Sequence, residues 1–485
     1  MDTMKFRESL AYRLTGHFFL LLLLLFAVIW AYPRVCYMDS AYQLFDLINS
    51  GFFTINDGRR SMVVSELLPL LFLKLHLPLG AILVAYSVSF VLIAYACYLL
   101  TLHLLKDGRT ALAMLLPLLC MCHTFMHGIS ETFQLLFAAA LLYALLAYRR
   151  RTASKAAALC HAAALALVAF FCAFIHPVAV FFLAFVWLYV WVDESFHWRW
   201  ETVFALLVFG LAEALKFTLP AEGGRDATFL LPLPELLSKL PDFWHFGSLH
   251  FFKDHLFSLY YLPVLLFGWT SVWYIRRKMV WKSLFYIGFN IGFLFITLWI
   301  YFAGDGPIAM ERSFLPVAMF TGLPFVREVM PTWKPSAHKV AVVALSLLLA
   351  LTFVRMGHKA AGYADRLQAM DAVMAEARQE GVRKVFVSKE DAAALGIDYA
   401  WGTGIESMLY ITGKRGKEQC SNLFVYEDAS LLQAPEMQAT DRVAFVPWWV
   451  FLYRNGLNPD YFPMPEAPFY VLRLEDGRCR FVRAE

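Results

Sequence analysis

Charge is scarce in this chain of 485 residues. Only 16% of the residues are charged and 60% are hydrophobic, with a mean hydropathy of +0.58, whereas soluble domains carry roughly a quarter charged residues. The formal net charge is +4 and no long Lys/Arg run occurs, which argues against a nucleic-acid partner. These shortages exclude an ordinary soluble domain and predict a polytopic membrane protein.

The first apolar run lacks a cleavage site. Lys5, Arg7 and Arg13 precede it as in a signal peptide, but it is followed by Ala31-Tyr32-Pro33, which carries a large residue where small ones are needed. Because many further apolar runs follow, we expect an uncleaved first helix.

The eight cysteines show no metal-binding spacing. Cys120-x-Cys122 has no second pair, and most of the others lie in apolar runs, which is typical of packing residues. Cys420 and Cys479 lie in the polar C-terminal segment, where a disulfide is open to them if that segment is outside the cytoplasm.

Apolar stretches dominate the rest of the chain. A bilayer core requires roughly 20 apolar residues per helix, and about eleven stretches qualify, near residues 17–35, 78–104, 111–127, 132–148, 156–175, 177–193, 201–219, 257–275, 282–303, 313–329 and 338–356. The predicted fold class is therefore mainly α, with about eleven transmembrane helices in residues 1–356 and a small extracytoplasmic α/β domain in residues 357–485.

Lys and Arg are distributed unevenly between alternate loops. With the N-terminus in the cytoplasm, short inside loops are richer in Lys and Arg than the longer outside loops, as the positive-inside rule requires. An odd number of spans then puts the C-terminal segment outside, with the long loops 33–77 and 220–256. The working surface is expected on the outer face.

Two outer segments are apolar but interrupted. Residues 62–77 contain Glu66, Pro69 and Lys74, which predicts a helix lying in the membrane interface rather than crossing it. Residues 229–256 are rich in Pro, Trp, Phe and His, which favours a loop resting on lipid headgroups.

The C-terminal segment has ordinary soluble composition. It predicts a helix over 366–381, a strand over 384–388, a helix starting near 404–406, and strands near 422–427 and 442–447. A closing hairpin over 470–474 and 478–482 turns at Asp476-Gly477, a strong two-residue turn signal.

Asp39 follows the first span in the aromatic setting Tyr37-Met38-Asp39-Ser40-Ala41-Tyr42. An acid at the membrane boundary could accept a proton from a substrate hydroxyl. Asp39-Ser40 also precedes a helical stretch, so capping of that helix is the alternative, and the two roles are compatible. Asp46 lies two helical turns further on. It would either support the site, through a metal or a hydrogen bond, or be a surface acid.

Other ionisable residues gather at the predicted outer face. Arg59 and Arg60 follow a turn and could hold a phosphate or anchor the chain to lipid phosphates. His127 and Glu131 are four apart and would share a helix face. Binding a divalent metal would need Asp39 as a further ligand, and capping by Ser130 explains much of the same pattern.

Three further outer-face elements carry ionisable side chains. Glu311-Arg312-Ser313-Phe314-Leu315-Pro316 opens a span, where Arg312 could clamp a phosphate or serve as a positional anchor. His176-Pro177 reads as a helix break with a hydrogen-bonded histidine rather than a ligand. Asp305 lies just before the tenth span.

These motifs together resemble the GT-C superfamily of integral-membrane glycosyltransferases, near protein O-mannosyltransferases and lipid A aminoarabinose transferases. The resemblance rests on Asp39-Ser40-Ala41-Tyr42 after the first span, the Glu311–Pro316 element, and about eleven spans with an outside C-terminal domain. It covers roughly residues 15–330 through short motifs. Relatives often have Tyr at the position of Ser313.

The resemblance implies a polyprenyl-phosphate sugar donor, a lipid, glycan or protein acceptor, and a location in a bacterial inner membrane. It implies Asp39 as the catalytic base, and the candidate substrate contacts are Tyr42, Arg59, Arg60, His127, Glu131, Glu311 and Arg312. Many relatives have paired acids in the first loop, whereas Ser40 follows Asp39 here. We therefore expect no cofactor and do not favour a divalent metal.

Two other functions remain open from the sequence. A transporter or flippase of a lipid-linked substrate would usually show internal symmetry and midplane charges, and neither is evident. A non-catalytic polysaccharide assembly factor that uses its C-terminal domain for binding is the other alternative. Trp401, Trp448, Trp449 and Tyr453 of that domain could stack on a sugar or belong to its core.

Overall fold

The computed structural model describes residues 2–55, 58–148, 154–193, 199–218, 232–304 and 306–484. The protein is mainly helical, with a small sheet region near its C-terminus. Five helices in the described ranges are long and apolar enough to cross a membrane, and they contain Leu10–Ile29, Leu79–Leu104, Lys155–Ala173, Val280–Ile300 and Pro335–Gln379. These five helices are compatible with a membrane protein.

The helices of the first half of the chain range from 5 to 28 residues in length. They are α1 (Asp2–Ile29), α2 (Ala31–Val35), α3 (Met38–Ser50), α4 (Val63–Lys74), α5 (Leu79–Leu99), α6 (Gly108–Ala113), α7 (Glu131–Ala147), α8 (Lys155–Ala173), α9 (Ala179–Trp191) and α10 (Trp200–Thr218). A π-helical turn, Leu100–Leu104, extends α5.

The second half continues with α11 (Leu233–Ser238), α12 (Gly247–Asp254), α13 (Tyr261–Arg276), α14 (Val280–Ile300), α15 (Pro307–Phe314), α16 (Pro316–Pro324), α17 (Pro335–Gln379), α18 (Lys389–Ala394) and α19 (Thr403–Arg415). Strands β1 (Lys384–Ser388), β2 (Asn422–Tyr426), β3 (Arg442–Val446), β4 (Trp449–Tyr453), β5 (Tyr470–Glu475) and β6 (Arg478–Arg483) lie in the C-terminal part.

Eleven spanning helices are not confirmed. The predicted third span, 111–127, is wrong as a continuous helix, because it divides into α6 and two 3-10 turns, Leu116–Cys120 and Thr124–Met126. Helix α7 is 17 residues long and all but its last residue are buried by protein. Apolar composition alone does not distinguish a lipid-facing helix from one enclosed by other helices, which is why these stretches resembled spans.

Helix α17 joins the apolar and polar parts of the chain without a break. It is 45 residues long and runs from Pro335 to Gln379. The predicted domain boundary at 356/357 falls within it. One continuous helix therefore carries the chain from the last apolar stretch into the C-terminal α/β region.

The sheet region confirms most of the predicted strands. A four-stranded sheet has the order β2-β1-β5-β6, with β1 parallel to β2 and β5 and β6 antiparallel to β5. The predicted turn is confirmed, since Asp476 and Gly477 both have positive φ, 51° and 75°. Strand β4, which pairs with β3 in a separate two-stranded sheet, was missed.

The two predicted outer segments are largely helical. Residues 62–77 contain α4, whose Glu66 is buried. The described part of 229–256 folds into α11, a 3-10 turn at Leu240–His245, and α12. Residues 219–231 and Asp305 lie outside the described residues.

Candidate functional site

Helix α3 brings Asp39 into the first turn of a helix. Tyr37, not Asp39 or Ser40, is the residue before the helix, and neither acts as the predicted N-cap. The helix start is instead capped from the C-terminal region, because the Met38 backbone N–H donates to Oε1 of Glu406 at 2.7 Å. Asp39 therefore lies just inside the helix, with its side chain 39% exposed.

The imidazole of His127 lies next to the carboxylate of Asp39. Its Nε2 lies 3.5 Å from Oδ2 of Asp39, and its side chain is almost fully buried. His127 precedes α7 in extended backbone rather than lying on a helix face with Glu131, so that prediction is wrong. Ser130 is the residue before α7 but accepts no capping hydrogen bond through its side chain.

Glu131 is the centre of a buried charge cluster. Its carboxylate is fully buried; Oε1 pairs with Nη1 of Arg59, and Oε2 lies 3.6 Å from Nη1 of Arg312. Arg312 is one-fifth exposed. Arg59 comes from the segment before α4, Glu131 from α7 and Arg312 from α15, so three predicted site residues from separate segments meet here.

Positive charge exceeds negative charge around Glu131. Burial and the nearby cations Arg59, Arg312 and Lys216 hold the pKa of His176 well below its usual value. His176 is therefore neutral at pH 7, and its Nδ1 accepts from the Val178 N–H at 3.2 Å. The predicted helix break is confirmed, because α8 ends at Ala173 and α9 begins at Ala179. The two arginines that share the Glu131 carboxylate favour binding of an anion nearby.

Arg60 lies over the ring of Phe174, the residue that follows α8. Its guanidinium lies 5.6 Å from the ring centroid of Phe174. The neighbouring Ser61 donates through its hydroxyl to the Phe171 carbonyl at 2.8 Å. These contacts attach the first outer loop to the end of α8 and so fix the direction of Arg59.

Two side chains and one backbone hydrogen bond fix the loop that carries His127. Arg34 is buried and donates to the carbonyls of Phe125 and Ser87 at 2.7 and 2.8 Å. The Gly128 N–H donates to the Arg34 carbonyl at 3.0 Å, and a Cβ at Gly128 would lie 2.9 Å from that oxygen. Ser40 accepts from the Ile129 N–H, so the serine beside Asp39 contacts this loop.

Glu311 is fully buried and holds the same loop from the other side. Its carboxylate accepts backbone N–H groups of Cys122, His123 and Thr124 at 2.6, 2.9 and 2.8 Å. Burial raises the pKa of Glu311, and these three donors oppose the rise. The structure places Glu311 among backbone donors rather than on the exposed side of the cluster.

Tyr42 connects α3 with the C-terminal region. Its ring lies 6.1 Å from Trp401 and 6.0 Å from Phe445, between centroids. Trp448, Trp449 and Tyr453 are exposed. They lie on the surface of the α/β region rather than in its core.

No group of three or more His, Cys, Asp or Glu side chains among the described residues could hold a metal ion. Glu131, one of the three ligands considered, is paired with arginines. Cys420 and Cys479 are both free thiols, with Cys420 buried. The disulfide considered from the sequence is therefore not formed.

Comparison with known proteins gives no relative. The chain matches no protein-family model, no curated protein and no solved structure.

Sequence reasoning missed the supporting residues of this site. Arg34, Ser40, Glu406 and Arg366 fix the segments that carry Asp39 and His127, and Glu406 lies 368 positions from Met38. Arg34 had a signal, since a lone arginine at the end of a long apolar run is costly unless its donors are satisfied. Glu406 had none, because nothing in its local sequence points to α3.

Proposed function

We propose that this protein is an integral-membrane glycosyltransferase of the GT-C type that moves a sugar from a polyprenyl-phosphate donor to a hydroxyl acceptor. The observation that carries the proposal is a part-exposed carboxylate, Asp39, in contact with His127, a residue of the short segment that leads into the buried cluster of Glu131 and two arginines. His127 contacts Asp39, and Glu131 begins the helix that follows it and pairs with both arginines.

The proposed donor site is the arginine side of the cluster. Arg312 is one-fifth exposed and only loosely paired, at 3.6 Å from Glu131. A guanidinium can bind two phosphate oxygens at once, and its charge is always present. Glu131 keeps Arg59 and Arg312 oriented. Because His176 is neutral, it does not repel the two arginines.

The proposed reaction needs one base and one anion site. Asp39 takes the proton from the acceptor hydroxyl as its oxygen bonds to the anomeric carbon of the sugar. The bond from that carbon to the phosphate oxygen breaks, and the electron pair leaves with the polyprenyl phosphate, whose charge the arginines stabilise. The anomeric carbon is inverted, and protonated Asp39 then returns its proton to water.

The proposed topology has a cytoplasmic N-terminus and an extracytoplasmic C-terminal domain. The Lys/Arg asymmetry of the loops supports it. The cluster residues come from loops assigned to one side, and they also meet in space. A single catalytic face is what transfer from a membrane-anchored donor requires.

The test compares variants of the purified full-length protein in lipid nanodiscs supplied with polyprenyl-phosphate sugars. Asp39→Asn should lose sugar transfer by at least about a hundredfold, the usual scale for a general base, while binding polyprenyl phosphate as the wild type does. Arg312→Ala should instead weaken polyprenyl-phosphate binding. Asp460→Asn, an exposed acid of the C-terminal region, is the matched control.

Three results would overturn the proposal. Transfer that persists in Asp39→Asn removes the base assignment. If the wild-type protein moves a lipid-linked sugar between vesicle leaflets without cleaving it, the protein is a flippase. If it binds no polyprenyl phosphate, it is neither a transferase of this type nor a flippase of such a lipid.

A further inference from the structure

The last turn of α19 carries two exposed cations, Lys414 and Arg415. Their side chains are 42% and 50% exposed, and both contact the carboxylate of Asp371, a buried residue of α17. Arg378 of α17 contacts the same carboxylate. Three cations share one acid, so the four side chains together have a formal charge of +2.

Arg415 alone provides two hydrogen bonds to Asp371. Its Nη2 and Nε donate to Oδ2 at 2.8 and 3.2 Å. The closest nitrogens of Arg378 and Lys414 lie 3.6 Å from the carboxylate, which is longer than a normal hydrogen bond. Asp371 is thus held by Arg415, and the ammonium of Lys414 keeps donors for a second anion.

This end of α19 lies against the ends of two apolar helices, α1 and α5, each of which contains a stretch long enough to cross a membrane. Tyr32 follows the end of α1, and its hydroxyl donates to the Gly413 carbonyl at 2.8 Å. Gly80 is the second residue of α5, and a Cβ there would lie 3.1 Å from the same carbonyl. Lys414 and Arg415 follow Gly413 directly, so they lie close to the level at which both apolar helices end.

Two tyrosines hold Lys414 at this level. The ammonium of Lys414 donates to the Tyr410 hydroxyl at 2.7 Å and lies 5.0 Å from the centroid of that ring. The rings of Tyr410 and Tyr32 pack edge to face, 5.7 Å apart between centroids. The position of the ammonium relative to the end of α1 is therefore fixed by packing, although the side chain is partly exposed.

We propose that the last turn of α19, through Lys414 and Arg415, binds anionic phospholipid headgroups in the membrane leaflet on the side of the C-terminal region. Lys and Arg donate strong hydrogen bonds to phosphate oxygens, and a negatively charged membrane surface attracts cations that lie near it. This contact is separate from the proposed donor site at Glu131. It holds for a transferase and for a flippase alike.

The helix dipole offers a plainer use for these cations. Lys and Arg in the last turn of a helix are favoured by the dipole, and Arg378 lies in the last turn of α17 in the same way. That explanation would hold at any height above a membrane and requires no lipid. Anionic and neutral membranes distinguish the two explanations, because the helix dipole is the same in both.

Hydrogen exchange of the full-length protein in nanodiscs tests the lipid contact. Discs of phosphatidylcholine alone are compared with discs of equal parts phosphatidylcholine and phosphatidylglycerol. The amides of residues 413–420 in the wild type should exchange about tenfold more slowly in the anionic discs, because bound headgroups stabilise this helix end. The difference should shrink at high salt, which screens exposed charges.

Charge variants assign the effect to these two residues. The double change Lys414→Gln and Arg415→Gln should abolish the difference between the discs. Lys414→Gln alone leaves the Arg415 contact with Asp371 in place and should reduce the difference to about threefold, whereas Lys414→Arg should retain it. Lys389→Gln, an exposed Lys paired with Glu427 at the start of α18, is the matched control and should behave as the wild type does.

Three results would overturn this inference. Equal exchange of the wild type in the two discs means that the end of α19 does not contact anionic lipid. A difference that persists in the double variant assigns the effect to other cations. If inorganic phosphate added to phosphatidylcholine discs slows exchange as much as phosphatidylglycerol does, the site binds a soluble anion instead. None of these measurements uses a sugar donor, so they leave the transferase proposal untouched.

Discussion

The backbone N–H of Met38 donates to Oε1 of Glu406, and this contact joins the first turn of α3 to the C-terminal region. Oε2 of the same carboxylate accepts from Nη2 of Arg366 at 2.7 Å, and Arg366 also donates to the Asp398 carbonyl. Glu406 is fully buried. The C-terminal region is thus part of the support for Asp39 rather than an appended module.

Glu406→Ala should destabilise the start of α3 more than the rest of the protein. It removes the cap of Met38 and leaves Arg366 buried without its carboxylate, a loss of about 3–5 kcal/mol for a broken buried pair. Hydrogen exchange at residues 38–42 should accelerate and transfer should fall. Glu466→Gln, an exposed carboxylate paired with Arg454, is the control, and equal effects of the two changes would contradict the assignment.

Arg59→Ala should lower the melting temperature because it leaves Glu131 buried with only the distant Arg312. We expect a loss of roughly 3 kcal/mol, at the low end for an uncompensated buried charge. Adding Glu131→Gln to Arg59→Ala should restore most of that stability. If the double variant is no more stable than Arg59→Ala, the pair does not behave as an ion pair.

Glu311→Gln should loosen the loop that precedes His127. The amide replaces one acceptor oxygen with a donor that faces backbone N–H groups, a change that costs about 1–3 kcal/mol. Exchange of the amides of residues 122–129 should accelerate, whereas Glu235→Gln on the exposed face of α11 should leave them unchanged. Protection that stays at the wild-type level would show that Glu311 does not hold this loop.

Stability should fall as pH rises from 4.5 to about 7 through Glu66. Burial raises its pKa from 4.5 to about 7, against hydrogen bonds from the Thr54 N–H and hydroxyl. Between these values the folded state binds a proton that the unfolded state does not, so raising the pH destabilises the fold. Melting temperatures of the wild type should decline across this window more steeply than those of Glu66→Gln; parallel curves would refute the assignment.

Local patterns predicted the C-terminal strands well. Strand β1 begins and ends where the apolar run over 384–388 does, and the Asp476-Gly477 turn follows from the φ > 0 that such a turn requires. Strand β4 was missed because only Pro447 and Trp448 connect it to β3, and Pro-Trp is not one of the Asn-Gly or Asp-Gly pairs that mark a two-residue hairpin turn. The pairing of β4 with β3 depends on contacts made in the folded protein and not on a local sequence pattern.

The membrane part was predicted less well. Apolar composition identified the stretches but not which of them face lipid, as α7 and the residues around Pro117 demonstrate. Hydropathy measures the cost of exposure to water, and a helix enclosed by protein avoids that cost as well as one in lipid does.

By itself, the sequence determined that the chain is mainly helical, with long apolar helices compatible with a membrane protein and a small C-terminal sheet region, because apolar residues are abundant up to about residue 356 and charge is scarce. It also picked out Asp39, Arg59, His127, Glu131 and Arg312, because ionisable groups at a membrane boundary are costly and therefore few. Only the tertiary structure decided that Glu131 orients both arginines, that Glu311 supports a loop, and that Glu406 caps the helix of Asp39. Those pairings join residues far apart in the chain, and no local pattern encodes a contact whose free energy exists only after the chain has folded.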